Sequence, residues 1–170
     1  MVCGAVSYRG KSKLVIVDPQ DVKMDSDKYQ DVLRQIFPSI RKLYPDDDWI
    51  FVQDSAPSHR SNSTQTFLEE KTPSFIPADE WPPHSPDCNP LDFFVWNALR
   101  EEVYRGRGGR GFSSIRELSN AALKAWKKIP NDLIIKSIDR FLPRLNSVAD
   151  ENEHVFGGGE QFTHLNLRGH

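Results

Sequence analysis

Long apolar runs are missing from this 170-residue sequence. Leu14–Val17 and Trp49–Val52 are among the longest, far short of the ~20 residues that a membrane-spanning helix needs. Cysteine is scarce. Cys3 and Cys88 are too few for a disulfide framework and form no Cys-x-x-Cys pair, so a reduced intracellular setting is expected and a zinc site is not. The first eight residues lack the basic and then apolar pattern of a signal peptide. A large net charge is lacking too. Lys and Arg number 22 against 24 Asp and Glu, a balance of −2, which on its own speaks against a strongly basic nucleic-acid-binding module. No internal repeat is visible.

What is present is ordinary globular material, 38% hydrophobic and 27% charged, in a length that suits one domain with a real core. The charge is unevenly spread. Residues 18–50 hold eight Asp and five Lys or Arg, whereas residues 99–128 hold eight Lys or Arg and three Glu. A chain that is nearly neutral overall can still carry a basic face.

Residues 1–18 read as a β-hairpin: Val2 to Tyr8, a turn at Arg9-Gly10-Lys11, then Lys13 to Asp18 with a β-branched run that predicts burial on both faces. A helix follows, capped by Asp25 or Ser26, with Tyr29, Val32, Leu33, Ile36 and Ile40 at helical spacing and Pro38 expected to bend or end it. Trp49 to Asp54 predicts a second buried strand that ends in a carboxylate. Ser63 to Lys71 predicts a short helix with Phe67 and Leu68 inward, and Phe75-Ile76 is a weak strand signal. Four prolines between Trp81 and Pro90 predict an extended loop. Asn89 as N-cap and Pro90 as first residue open a helix with Leu91, Val95, Leu99 and Val103 as its inner stripe. Beyond the glycine-rich segment 106–111, Ser114-Ile115-Arg116-Glu117 forms a capping box for a helix with Ile115, Leu118, Ala122, Trp126 and Ile129 in register. Pro130 ends it. Asn131 or Asp132 caps the next, with Ile134, Ile138, Phe141 and Leu145 inward, and Gly157-Gly158-Gly159 opens a loose tail. Strands followed by helices in this order place the chain in the α/β class, with one domain over 1–150 and a glycine-rich tail over 151–170.

Two acids stand out by position. Asp54 closes a buried strand, and Asp92 lies in the first turn of a helix; α/β proteins place functional groups at both kinds of site. Converging carboxylates could hold Mg²⁺ or Mn²⁺, which prefer oxygen ligands, and such ions can activate water and stabilise a leaving oxygen. Spacing alone also fits simpler roles, a turn cap for Asp54 and a helix-cap partner of Asn89 for Asp92. His59 is a loop histidine near Asp54, suited to the metal site, to DNA phosphates or simply to capping. Arg105, Arg107 and Arg110 in their glycine chain could follow a phosphate backbone or form a solvated loop. Trp81, Trp96 and Trp126 could stack on bases, although the helical positions of Trp96 and Trp126 favour the core. Asp18 and Asp87 read as turn residues.

The segment Gln53-Asp54-Ser55-Ala56-Pro57-Ser58-His59 resembles the surroundings of the second catalytic Asp in mariner-superfamily DNA transposases. Trp81-Pro82-Pro83-His84-Ser85-Pro86-Asp87-Cys88-Asn89-Pro90-Leu91-Asp92 resembles the loop and helix start that deliver their third acid. Gly4 to Ser7 with Gly10, and Leu14 to Asp18, resemble the preceding hairpin, and the likeness continues through Trp126 to Pro130. It implies a ribonuclease H-like mixed sheet flanked by helices, lacking its first, central strand and the first catalytic Asp on it. It makes Asp54 and Asp92 the second and third catalytic, metal-binding carboxylates, with Mg²⁺ or Mn²⁺ as cofactor. It implies metal-dependent DNA cleavage and strand transfer in the complete protein. Its implied partners are DNA, as transposon ends and target, with another transposase chain as a further candidate. No membrane or small-molecule substrate is implied, and the implied location is the nucleus. Within the motifs, Ser55 stands where the family usually has Asn and Cys3 where it usually has Trp. Met1 resembles an internal methionine of the family, and these 170 residues are expected to lack the family's helix-turn-helix DNA-binding domains. The chain alone is therefore expected to be inactive; the alternative function is a non-catalytic nucleic-acid-binding or transposase-interacting remnant.

Overall fold

The computed structural model describes residues 1–17, 23–82 and 86–151. Asp18, His84 and residues 152–170, the greater part of the expected tail, lie outside the described residues. The hairpin forms in two pieces. Strand β1 (Val2–Cys3) pairs antiparallel with β4 (Val15–Ile16), and β2 (Val6–Ser7) pairs antiparallel with β3 (Gly10–Lys11). The turn is tighter than its composition suggests. Ser7 faces Gly10, so only Tyr8 and Arg9 lie between them, and Gly10 joins the return strand at φ 142°, a value that favours glycine.

The break between the two pieces has a local cause. Ser12 Oγ accepts from the Ala5 N–H at 2.8 Å, where a ladder would present a carbonyl, and the buried Trp126 indole donates to the Ser12 carbonyl at 2.8 Å. Gly4 lies so close to the Trp126 ring that an added Cβ would meet it at 3.1 Å. A helix-borne indole thus occupies the kink.

Alternation along the hairpin builds a core on each face, as a strand period of two requires. Cys3, Ala5, Val15 and Val17 pack with Val32, Leu33, Ile36 and Phe37 of helix α1 (Ser26–Leu43), and with Phe67 and Leu68 of helix α3 (Asn62–Lys71). Val2, Val6, Leu14 and Ile16 pack on the other side against helices α4 (Trp96–Tyr104), α5 (Ile115–Lys128) and α6 (Asn131–Ile138). The hairpin is therefore sandwiched between helices, which explains its unbroken apolar run. Trp81, Cys88, Phe141 and Leu145 form a smaller cluster beneath helix α7 (Phe141–Glu151).

Several helix ends differ from expectation. Helix α1 takes Asp25 as its N-cap, with the side chain accepting from the Lys28 N–H at 2.9 Å, but it continues through Pro38 to Leu43. Burial of Phe37 and Ile40 on either side of the proline outweighs the one backbone bond that it removes. Ser114 accepts from the Glu117 N–H at 3.1 Å as a capping box requires, yet Glu117 returns to the Ser113 N–H at 2.8 Å, one residue earlier. Ile115 and Leu118 remain exposed because the first turn of α5 projects beyond the core. Helix α6 starts after Pro130 with no side-chain cap, rather than with Asn131 or Asp132 as its cap.

Residues 49–54 form no extended ladder. A single parallel bridge joins Phe51 to Phe75, through Phe51 N–H to Ser74 O (2.9 Å) and Ile76 N–H to Phe51 O (3.0 Å). A cleft of about 540 Å³ is lined by this segment, by residues 1–8 of the hairpin and by Leu33 and Ile36 of α1. The indole N–H of Trp49, which also lines the cleft, is buried without a hydrogen-bond partner among the described residues.

Candidate active site

Asp54 leaves the 49–54 segment shortly before a one-turn helix, α2 (Pro57–Arg60), with Pro57 as its first residue. The turn aims backbone and ring donors back at the carboxylate. The Ala56 N–H donates to Asp54 Oδ1 at 3.0 Å, and His59 Nδ1 lies 2.6 Å from the same oxygen. The His59 bond holds the Asp54 carboxyl below the usual carboxylate range, assisted by the Ala56 N–H and opposed by burial.

Asp92 arrives from a different direction. A short 3₁₀ turn (Pro86–Cys88) is followed by Asn89, whose side chain accepts from the Leu91 N–H at 3.0 Å, as an N-cap does. The segment Leu91–Val95 then winds as a π-helical turn before α4 begins, a geometry often found at functional sites. Asp92 sits on this turn with its side chain exposed. Its carboxyl is pushed upward, first by loss of hydration and then by the negative charge of Asp54; hydrogen bonds involving Asn89 and Trp96 oppose the shift. The two acids are therefore electrostatic neighbours, and both line the cleft. Among the described residues, no group of three His, Cys, Asp or Glu side chains is arranged to hold a metal ion.

His59 is turned inward onto Asp54, with its side chain only 19% exposed. The three arginines lie elsewhere, past the far end of α4. Counting residues 92–104 at the helical rise puts that end ~18 Å from Asp92. Arg107 organises the loop. It bonds to Glu117 (3.1 Å) and the Gly111 carbonyl (2.6 Å), and its guanidinium lies 3.9 Å from the centre of the Phe112 ring. Arg105 pairs with Glu102 at 2.7 Å, and Arg110 donates to the Arg107 carbonyl at 3.3 Å; both remain exposed. The tryptophans serve packing: Trp96 stacks on Trp126 at 6.0 Å and Trp81 on Phe141 at 6.2 Å.

The family described as DDE superfamily endonuclease matches residues 1–119. The chain belongs to this family. The Tc3 transposase of Caenorhabditis elegans is 33% identical over 140 residues, covering 82% of this chain and 40% of that protein. The chain thus spans well under half the length of this relative. Among solved structures, the Mos1 transposase paired-end complex with the left transposon end matches 92% of this chain and 44% of its own, at 17% identity and a TM-score of 0.74. The Mos1 transposase catalytic domain solved with raltegravir and Mg covers 92% of this chain and 77% of that domain, again at 17% identity and a TM-score of 0.74; it has also been solved with Mn. The fold is that of a DDE transposase catalytic domain, ribonuclease H-like, with only short sheet pieces among the described residues. No helix among those residues is long and apolar enough to cross a membrane.

Proposed function

We propose that this chain supplies the second and third carboxylates, Asp54 and Asp92, of a metal-dependent DNA-cleaving and strand-transferring site that is complete in a longer transposase. The observation that carries the reading is the convergence of these two acids, from separate elements, on one apolar cleft. The donor chemistry suits a hard divalent cation, Mg²⁺ or Mn²⁺: two carboxylates, one of them favoured in its charged form. Asp54 and Asp92 would hold that ion, which when bound would activate a water and offset charge on phosphodiester oxygens. Two carboxylates leave such a cation short of ligands, so the isolated chain is expected to bind metal weakly and not to cleave.

The cleft suggests where a third acid would come from. An extended segment lying between the hairpin and residues 49–54 would find backbone partners on both sides and give the Trp49 indole an acceptor. The transposon-end complex of the Mos1 relative supports DNA as partner, and relatives from nematodes support a nuclear setting. Arg105 and Arg110, exposed at the far end of α4, are proposed phosphate contacts.

The test is Mn²⁺- or Mg²⁺-dependent nicking of a labelled duplex by this chain and by a longer protein carrying the residues that precede it in its gene. Nicking by the longer protein alone, abolished by Asp54→Ala and by Asp92→Ala, is the expected result. A longer protein that binds DNA without cleaving it would show a binding remnant instead. Nicking that survives both substitutions would remove these acids from the chemistry.

A further inference from the structure

The polar contacts around Asp54 converge on one side chain. The ring of His59 stacks on Tyr29, with 4.0 Å between centroids and 29° between planes. The His59 carbonyl accepts from Gln53 Nε2 at 3.3 Å and from Gln65 Nε2 at 2.8 Å. The buried Tyr29 hydroxyl donates to Gln53 Oε1 at 2.8 Å and so ties the stacking partner to the same residue. Backbone, ring face and ring edge of His59 are thus all restrained. The restraint has a single target, because Nδ1 sits 2.6 Å from Asp54 Oδ1 and 3.2 Å from the Asp54 carbonyl. Both acceptors require Nδ1 to carry a proton.

The hydrogen bonds are unequally shared between the two carboxylate oxygens. The Ala56 N–H also lands on Oδ1, at 3.0 Å. Among the described residues, both donors to this carboxylate therefore use Oδ1, which leaves Oδ2 for a cation. We propose that His59 is a positioning residue: its Nδ1–H, backed by the Tyr29 stack, fixes the rotation of the Asp54 carboxylate so that Oδ2 is presented to a divalent cation. This inference rests on the reading of Asp54 as a metal ligand. The physical gain is preorganisation. A ligand held by its neighbours loses less freedom on binding, and removing such a neighbour typically weakens metal affinity by about 10–100-fold.

Two readouts test it. Long-range ¹H–¹⁵N correlation spectra of the metal-free chain, recorded above neutral pH, are expected to show His59 protonated at Nδ1 and to lose that preference in Asp54→Ala. An Nε2-protonated ring in the unsubstituted chain would overturn the proposal. Mn²⁺ titration of the longer protein, followed by electron paramagnetic resonance, compares three substitutions. His59→Asn keeps a donor near the place of Nδ1, His59→Gln moves it to the place of Nε2, and His59→Ala removes it. Affinity is expected to fall about 10–100-fold in the Gln and Ala variants and within a few-fold in Asn, with thermal unfolding showing all three folded. Uptake that is lost in Asp54→Ala but unchanged in the Gln and Ala variants would overturn the role of His59 and leave the metal-site reading standing. No Mn²⁺ uptake by the unsubstituted longer protein at millimolar concentration would overturn that reading, and this inference with it.

Discussion

Asp54 and Asp92 show how two identical side chains are given different tasks by their surroundings. Asp54, held below the carboxylate range by His59, contributes stability at pH values above ~3.9 that is lost as pH falls through its lowered value. Asp92 has the opposite sign. Its raised value favours the protonated form in the folded chain, so its contribution is present below ~3.9 and disappears as pH rises through that raised value. Near neutrality, the metal-free chain therefore carries Asp92 as a mild liability. Asp92→Asn is expected to raise Tm by a few degrees at most at pH 7 and to leave it unchanged near pH 3; equal shifts at both pH values would contradict the electrostatic account. The apolar counterpart is Leu68, fully buried on α3 against the α1 face of the hairpin. Leu68→Ala is expected to lower unfolding free energy by about 2–5 kcal/mol in urea titration, through lost transfer energy and an unfilled cavity.

Helix ends and connecting loops carry the next level of argument. Asp25 and Ser114 each close a helix N-terminus with a side-chain acceptor. Replacing either with Ala is expected to cost about 1 kcal/mol, read as a shifted denaturant midpoint with an unchanged slope. The loop after α4 is glycine-rich, which in sequence suggests a freely moving connection, but Arg107 binds its own loop to α5 and Phe112. Arg107→Ala is expected to expose residues 105–111 to trypsin and related proteases, with little change in Tm. An equally resistant loop would show that the glycine turns, not Arg107, set its shape. The three arginines of this loop are thus unequal: Arg107 builds the loop, whereas Arg105 and Arg110 remain exposed.

That division can be measured on the whole molecule. If Arg105 and Arg110 contact phosphates, the double variant Arg105→Ala/Arg110→Ala is expected to reduce the slope of log K against log salt for duplex DNA by about 1–2 and to leave Tm intact. An unchanged slope would place the DNA surface elsewhere. At this scale the chain is a hairpin covered by helices on both faces, with a cleft where the hairpin and residues 49–54 fail to meet. The two acids of the proposal line that cleft, and the arginine loop lies about 18 Å from Asp92 along α4.

The sequence by itself determined the elements whose signals are local. Asp25, Pro90, Ser114 and Pro130 announced helix boundaries through backbone chemistry confined to a few residues. The 3.6-residue spacing of Val32, Leu33, Ile36 and Ile40 marked the buried face of α1, and the two acid-bearing motifs carried the family. What depended on residues distant in the chain was not legible. The run at Leu14–Val17 did not say which cores would cover its two faces, nor that Trp126 would kink the hairpin at Ser12. The apolar pattern at 49–52 predicted a strand, but a strand needs a neighbour, and here Phe75 supplies one bridge. His59 was visible only as a loop histidine near an acid. Its stack on Tyr29, thirty positions earlier, and its turn toward Asp54 were decided by the tertiary structure, because a ring is oriented by the surfaces that close around it, and those surfaces come from helices that no local pattern brings together.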